Sequence, residues 1–311
     1  MHLSELFSPK KNSFLIGHED KFYLFQDLLI NKRMPKVLML SGRKGIGKFT
    51  LINHLMHYYF DKENYDKKQF KILDSNSSFK KQYLNNVFPN IIYLNSLIFS
   101  NVKVEEIRNL KANLLKTPIN NLERFIILDD VENFNVNSLN ALLKIIEEPS
   151  RSNYFILINN KSKPILETIK SRCLEVKIIL KNSTRDKILS SLLEYYEQDI
   201  NLEKDLIKIT PGLFLKYNSL FNKEELNIDD GFFKNFMGII NMYKKEKDLI
   251  YRDLLIYFTE YFFEKNEKSS SYDKKSFFEK RFFILKNINN FFTYNLNHNT
   301  LIHSIEAKLN E

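Results

Sequence analysis

The stretch that decides the fold is Val37–Thr50, which reads VLMLSGRKGIGKFT. An apolar run of strand length opens it, and a segment with three glycines follows. Beyond it, Leu51, Leu55 and Tyr58 recur at helical spacing. Strand, glycine-rich loop and helix, in that order, are typical of a phosphate-binding loop, because glycines let backbone N–H groups curl around phosphate oxygens. The stretch predicts a P-loop nucleotide fold.

Of the residues that would bind nucleotide in this loop, the lysine fits the pattern but the magnesium ligand does not. Lys48 stands where a lysine reaches the β and γ phosphates, but Phe49 stands where a Ser or Thr hydroxyl binds magnesium. Thr50 comes one residue late, which on a helix is a rotation of about 100°. The pattern therefore indicates P-loop ancestry more strongly than it indicates ATP hydrolysis. The loop glycines are Gly42, Gly45 and Gly47.

A second nucleotide element follows the apolar run Phe125–Leu128, which ends in Asp129 and Asp130. P-loop folds of this kind place a metal-organising Asp at the end of a buried strand, followed by a catalytic acid. Asp130 is one methylene shorter than Glu, and a displaced carboxylate is a poorer base. Paired Asp residues at a strand end are weakly specific alone, and only the preceding glycine loop makes them informative.

Further patterns predict an α/β domain with a parallel sheet over residues 37–178, because strands alternate with amphipathic helices. The chain after residue 180 is helical in pattern, and Pro211-Gly212 divides it. Residues 62–86 are rich in Lys and Asn without a period, which favours a surface insertion. The other predicted strands are 91–94, 154–158 and 174–178, and the predicted helices are 104–115, 139–146 and 164–171.

Composition narrows the class of protein. The chain has 311 residues, 43% of them hydrophobic, and a formal net charge of +9, so a folded, basic protein is expected and a polyanionic partner is allowed. One cysteine, Cys173, excludes an internal disulfide framework and a cysteine-rich zinc site. Its apolar runs are strand-sized and no signal peptide is evident, so we expect a cytoplasmic protein without a membrane partner.

Three further features have a plainer explanation beside a functional one. His54 and His57 have metal-ligand spacing, but a solvated helix face is favoured because no third ligand is evident. Lysines at 10, 11 and within 62–81 would suit DNA phosphates, but interleaved acids favour an ordinary surface. Glu147-Glu148 would suit a salt bridge to another subunit, although a solvated pair is simpler.

Four segments together resemble the clamp-loader AAA+ proteins of bacterial DNA polymerase III. They are FLIGHED (14–20), SGRKGIGK (41–48), FIILDDVENFNVNSLNALLKIIEEPS (125–150) and LETIKSRC (166–173). NLNHNTLIHSIEAKL near the end is similar to the last helix of these proteins. The resemblance implies three parts: an AAA+ nucleotide-fold domain (1–178), a small helical lid (179–224) and an all-α collar for oligomerisation (225–311).

The resemblance also gives roles to single residues. It implies that Arg172 in Ser171-Arg172-Cys173 is an arginine finger that reaches the ATP site of an adjacent motor subunit. Such fingers contribute ~10³ to 10⁵ in rate by stabilising charge on the transferred phosphoryl group. On position alone, an ion pair with a carboxylate of its own surface is the commoner fate of an exposed arginine.

Departures from the family's motor subunit favour a stator. Phe49, Asp130 and Gly212 replace a magnesium hydroxyl, a catalytic Glu and a phosphate-sensing Arg, and the motor's zinc cysteines are missing. We therefore expect a non-catalytic subunit of the DNA polymerase III holoenzyme with no ATPase activity of its own and no required cofactor or metal. Its ATP and Mg²⁺ site would be vestigial, comprising Gly42, Gly45, Gly47, Lys48, Thr50, Asp129 and Asp130.

The implied partners are the gamma/tau and delta subunits of a hetero-oligomeric ring, and through that ring the sliding clamp and primed DNA. Two alternatives stay open at this point. In one, the chain is itself a working ATPase motor of the gamma/tau type. In the other, its basic balance marks an independent DNA-binding module.

Overall fold

The computed structural model describes residues 7–73, 76–95, 107, 109, 110, 113, 114, 122–223, 226–267 and 274–310. By contacts along the backbone, the chain divides into two units. The first comprises residues 1–190 and 210–212, and the second comprises 191–209 and 213–311. The three-part division at residues 178 and 224 stays a prediction.

A five-stranded parallel sheet, in the order β4-β5-β6-β1-β7, forms the middle of the first unit. Its strands are β1 (Val37–Ser41), β4 (Ile91–Asn95), β5 (Arg124–Asp129), β6 (Asn153–Asn159) and β7 (Leu174–Lys177). The three inner strands are almost wholly buried because they are apolar on both faces, as parallel sheets covered by helices require. The predicted parallel α/β domain is confirmed.

Helices cover the sheet. In the first unit they are α1 (Glu19–Ile30), α2 (Lys48–Phe60), α3 (Ser78–Leu84), α4 (Val136–Ile146), the short α5 (Glu167–Lys170) and the start of α6 (Asn182–Tyr195). Two separate apolar clusters lie on the two sheet faces. Because side chains alternate between the two faces along β5, Phe125 and Ile127 belong to one cluster and Ile126 and Leu128 to the other.

The polar segment 62–86 is more ordered than its composition suggested, and its interpretation as a surface insertion is wrong for its aromatic residues. It contains an antiparallel pair, β2 (Tyr65–Asp66) with β3 (Lys71–Ile72), followed by α3. Tyr65, Phe79 and Tyr83 are buried. Isolated aromatic residues anchor this segment to the core without the regular spacing that a sequence pattern reveals.

The predicted helix at 104–115 lies mostly outside the described residues. Of its apolar positions, Ile107 and Leu110 are helical and buried in the cluster on the α4 face of the sheet.

All regular secondary structure described in the second unit is helical. Its helices are the end of α6, α7 (Pro211–Lys223), α8 (Phe232–Glu246), α9 (Ile250–Glu267), α10 (Lys274–Tyr294) and α11 (His298–Asn310). Helix α9 buries Leu254 and Phe258 on one face and Tyr257 and Phe263 on others, so its apolar contacts lie on more than one side. None of the helices in the described part of the chain has both the length and the apolar character that crossing a membrane demands.

Candidate functional site

The glycine loop between β1 and α2 is held by hydrogen bonds from its own chain. Five consecutive carbonyl oxygens, those of residues 42–46, each accept such a bond. Lys48 Nζ donates to Gly42 O at 2.7 Å and to Arg43 O at 2.9 Å. The next three carbonyls accept from Thr210 Oγ1 at 2.6 Å, from the Gly212 N–H at 3.0 Å and from His18 Nε2 at 2.7 Å.

Two glycines make this close approach feasible. A Cβ atom on Gly212 would lie 2.9 Å from Gly45 O, so only glycine lets this backbone touch the loop. Gly47 has a φ of +99°, and a Cβ there would lie 3.0 Å from His18 Nε2. Gly212, expected where the motor carries a phosphate-sensing arginine, instead presents its backbone N–H to the loop.

Lys48, the expected phosphate ligand, lies inside the loop. Its side chain is almost completely buried, and burial lowers its pKa to about 8, although the nearby carboxylates of Asp129, Glu132 and Asp130 oppose that shift. Because its two described bonds go to loop carbonyls, Lys48 closes the loop on itself.

Asp129 ends β5 beside the loop, because the carboxyl ends of parallel strands meet at one edge of the sheet. Both of its carboxylate oxygens accept hydrogen bonds. Oδ2 accepts from Tyr93 Oη at 3.1 Å and from Asn95 Nδ2 at 3.3 Å, and Oδ1 accepts from the Asp130 N–H at 2.9 Å. Burial, reinforced by the neighbouring Asp130 charge, raises the pKa of Asp129 to about 7.

Phe49, the first residue after Lys48, packs against Tyr93, which donates to this carboxylate. It is buried, and its ring meets the Tyr93 ring edge-on at a centroid separation of 5.2 Å. Tyr93 therefore links Phe49 to Asp129 through its ring and its hydroxyl. Thr50 lies one residue further along α2 and is half-buried. These residues do not fit a magnesium ion, because an aromatic ring replaces the hydroxyl ligand and the expected aspartate is bonded to its neighbours.

Asp130 and Glu132 belong to a polar network at the same sheet edge. Asp130 adopts a left-handed conformation with φ of 55° and accepts a hydrogen bond from Asn160 Nδ2. The buried Glu132 Oε1 accepts from the Asn160 N–H at 3.0 Å and from Ser162 Oγ at 2.9 Å. Asp130 is thereby tied to the segment after β6.

Sequence reasoning missed Tyr93, Asn95, Asn160 and Glu132, which surround the acids. Two of them could have been found from their position at the end of a strand. Asn95 is the last residue of β4, and Asn160 follows the last residue of β6. Polar residues that directly follow buried parallel strands converge on one edge of the sheet.

Arg172 lies between α5 and β7, and its described partners do not belong to the loop. Nη2 pairs with Glu147 Oε1 at 2.7 Å, and Nη1 donates to Thr168 O at 3.0 Å and to Ser171 Oγ at 3.4 Å. The Arg172 side chain retains 36% of its exposure and the Glu147 side chain 47%. Glu147 is exposed, as expected for a solvated residue, and it also pairs with Arg172. The ion pair of Arg172 with a carboxylate of its own surface, expected from position alone, is therefore present.

The two histidines of α2 are core residues, so the expected solvated face is wrong. His54 and His57 are almost fully inaccessible, and His54 contacts the Tyr65 hydroxyl at 3.1 Å while His57 packs edge-on against Phe79. Burial lowers the pKa of His54 to about 3 and that of His57 to about 4. Among the described residues, no cluster of His, Cys, Asp or Glu is suited to hold a metal ion.

The parallel sheet, the glycine loop after β1 and the acids after β5 define a P-loop protein of the AAA+ class. A solved structure of a DNA polymerase III gamma-subunit-related protein from Thermotoga maritima has a similar fold, with a TM-score of 0.50 at 16% identity over 93% of this chain and 98% of that one.

Residues 17–181 match the family model described as "DNA polymerase III, delta subunit". The chain belongs to this family of clamp-loader subunits.

Individual relatives carry the names of different subunits. The chain is 35% identical over 129 residues to a DNA polymerase III subunit gamma from Buchnera aphidicola, covering 42% of this chain and 30% of the relative. It is 27% identical over 161 residues to a subunit delta' from another Buchnera aphidicola subspecies, covering 48% and 46%. The matches thus span less than half the length of these relatives.

Proposed function

We propose that this chain is the delta-prime stator subunit of the DNA polymerase III clamp loader, which lends Arg172 to the ATP site of an adjacent motor subunit. The observation that carries the proposal is the contrast within the first unit. Its loop carries Phe49, packed on Tyr93, where a hydroxyl would bind magnesium, whereas the Arg172 side chain stays more than one-third exposed.

The bonding of the acids near the glycine loop supports a subunit that does not hydrolyse ATP. Hydrolysis needs a metal that bridges phosphate oxygens and an acid that orients water. Here Asp129 accepts bonds from Tyr93, Asn95 and the Asp130 N–H, and Asp130 accepts one from Asn160. No step of hydrolysis is assigned to this site, and nucleotide is not required for the function proposed.

The chemistry and position of Arg172 support its action on the ATP site of an adjacent subunit. A guanidinium carries five N–H donors and keeps its charge at any physiological pH, which suits it to a phosphoryl group gaining negative charge. Arg172 lies at the end of the short helix α5, next to the edge strand β7. A charged group at such an edge is accessible to a neighbouring subunit.

The relatives' names support the proposed partners. They are subunits named gamma, tau and delta', so a hetero-oligomeric ring with gamma/tau and delta subunits is the assembly we propose. The sliding clamp and primed DNA are reached through that ring, and the cytoplasmic location expected from the sequence belongs to the same proposal.

The test is the ATPase activity of a clamp loader reconstituted with Arg172→Ala in this chain. We expect DNA-stimulated turnover to fall severalfold while the complex still elutes intact from a sizing column, because only the finger is lost. Arg33→Ala, at another exposed arginine, is the matched control and should behave as wild type. Wild-type turnover by the Arg172→Ala complex would refute the proposal.

An active motor of the gamma/tau type is the second candidate, favoured by the 35% identity to a subunit gamma. It requires tight, magnesium-dependent ATP binding that is lost in Lys48→Ala, together with turnover by the isolated chain. Calorimetric titration with Mg-ATP and with magnesium-free ATP distinguishes the two candidates, because Phe49 lacks the hydroxyl that would bind the metal.

A further inference from the structure

The pair of Arg172 and Glu147 joins two rigid parts of the first unit. Glu147 caps the C-terminus of α4, whose residues Leu142 and Ile146 are buried in the core. Arg172 follows α5, where Ile169 is fully buried. Both backbones are therefore fixed, and the 2.7 Å contact between Nη2 and Oε1 sets where the end of a long side chain lies.

The position of Glu147 is unfavourable unless a cation is near. A carboxylate at a helix C-terminus faces the negative end of the helix dipole. The Arg172 guanidinium, which pairs with Glu147, supplies the opposite charge. Its other group, Nη1, donates to Thr168 O and Ser171 Oγ, so the guanidinium plane is held at two points.

We infer that Glu147 is a positioning residue for Arg172, holding the guanidinium in the orientation from which it meets a phosphate group on the adjacent subunit. This inference rests on the proposed function. The described contacts are two from Nη1 and one from Nη2, and a guanidinium has five N–H donors, so Nε and the second N–H of Nη2 remain for a phosphate oxygen while the pair is intact.

The exposure of the pair determines what it contributes. Exposed ion pairs add little to stability, because water and salt screen them. The Glu147 and Arg172 side chains retain 47% and 36% of their exposure, so the pair is not needed to hold the fold together. Its contribution lies in the orientation of one side chain, and a displacement of about 1 Å in a reacting group can cost up to ~10²-fold in rate.

The experiment is a double-mutant cycle in the reconstituted clamp loader, read as kcat and KM for ATP. Glu147→Ala is expected to lower DNA-stimulated kcat about threefold to tenfold, with KM unchanged, because orientation and not nucleotide binding is lost. Glu147→Gln, which keeps an acceptor oxygen, should recover part of the rate. Glu148→Ala, one exposed residue further along, is the matched control and should equal wild type.

The double variant gives the decisive comparison. If Glu147 acts only through Arg172, then Arg172→Ala with Glu147→Ala has the same kcat as Arg172→Ala alone. A merely structural role would instead lower the thermal midpoint of the isolated Glu147→Ala chain, which we expect to stay within about 2–4 °C of wild type.

The remaining outcomes separate the inference from the proposed function. A wild-type or raised kcat in Glu147→Ala, with Arg172→Ala impaired, overturns the positioning role and leaves the finger standing. A further loss in the double variant also overturns it, since Glu147 would then act elsewhere. A wild-type rate in Arg172→Ala overturns the proposed function and the inference together.

Discussion

The polar groups of the glycine loop (residues 42–48) and those around Arg172 differ in how far they are exposed and bonded within the chain. At the loop, the carbonyls of residues 42–46 and the carboxylate of Asp129 are all bonded within the chain. At the finger, Arg172 makes a partly exposed ion pair with Glu147. Buried polar groups must be satisfied internally, whereas exposed ones remain available to another molecule. Under the proposed function, the groups at the loop serve the chain's own stability and Arg172 serves a partner.

Phe49→Ser is expected to cause the largest loss in the free energy of unfolding. It restores the hydroxyl that magnesium requires but removes a buried ring packed on Tyr93. We expect the free energy of unfolding to fall by about 3–5 kcal/mol, as for other truncations of buried phenylalanine. Urea denaturation followed by circular dichroism measures this.

Phe278→Ser is the matched control for that variant, because Phe278 is 66% exposed. Its expected change is within about 0.5 kcal/mol. An equal change in the two variants would contradict the description of Phe49 as part of the core.

Gly42→Ala tests the close packing at the start of the loop. A Cβ there would lie 2.5 Å from Ile178 O, a backbone atom that cannot rotate away. The expected loss is about 3 kcal/mol in the same denaturation experiment. In Gly238→Ala the new Cβ meets only the end of the Leu226 side chain, within helix α8, so a change smaller than about 1 kcal/mol is expected. Equal losses would show that the packing at Gly42 has been misjudged.

The buried histidines of α2 should make the stability of the chain sensitive to acid. Their pKa values are lowered in the folded chain, to about 3 for His54 and about 4 for His57. The unfolded chain, with pKa near 6.5, therefore binds more protons as pH falls below that value. Their stabilising effect is complete above pH ~6.5 and is lost on going down towards pH ~4.

The expected size is about 2 kcal/mol for each histidine between pH 7 and pH 5. Unfolding curves at several pH values measure it, and His57→Leu should flatten the dependence. His303→Gln, at a largely exposed histidine, should leave the dependence as in wild type. The raised pKa of Asp129 changes stability in the opposite direction over this range, so the variant is compared with wild type. A pH dependence in His57→Leu equal to that of wild type would rule out the burial of His57.

Arg172→Ala is expected to have the smallest effect on stability, which sharpens the contrast with the loop. Because the pair with Glu147 is partly exposed, the isolated variant should lose at most about 1 kcal/mol. A thermal melt of wild type and variant side by side measures the difference. A loss as large as that of Phe49→Ser would mean that Arg172 serves the fold.

The sequence predicted the parallel sheet and the loop because their signals are local. Apolar strands and glycine spacing are read within a few residues, as at Val37–Thr50. The surroundings of Asp129 were missed because Tyr93 and Asn95 reach it from a different strand, and only the place of Asn95 at the end of β4 indicated this. The burial of His54 and His57 also escaped prediction, since it depends on Phe79 and Tyr65 from the polar segment.

The central claim is that this chain acts on a neighbour's ATP and not on its own. ATP turnover by the isolated chain at saturating Mg-ATP, compared with its effect when added to a clamp loader assembled without it, tests that claim most directly. We expect no turnover above the rate without protein, and a severalfold rise in DNA-stimulated turnover of the completed loader. Magnesium-dependent turnover by the isolated chain that is lost in Lys48→Ala would contradict it.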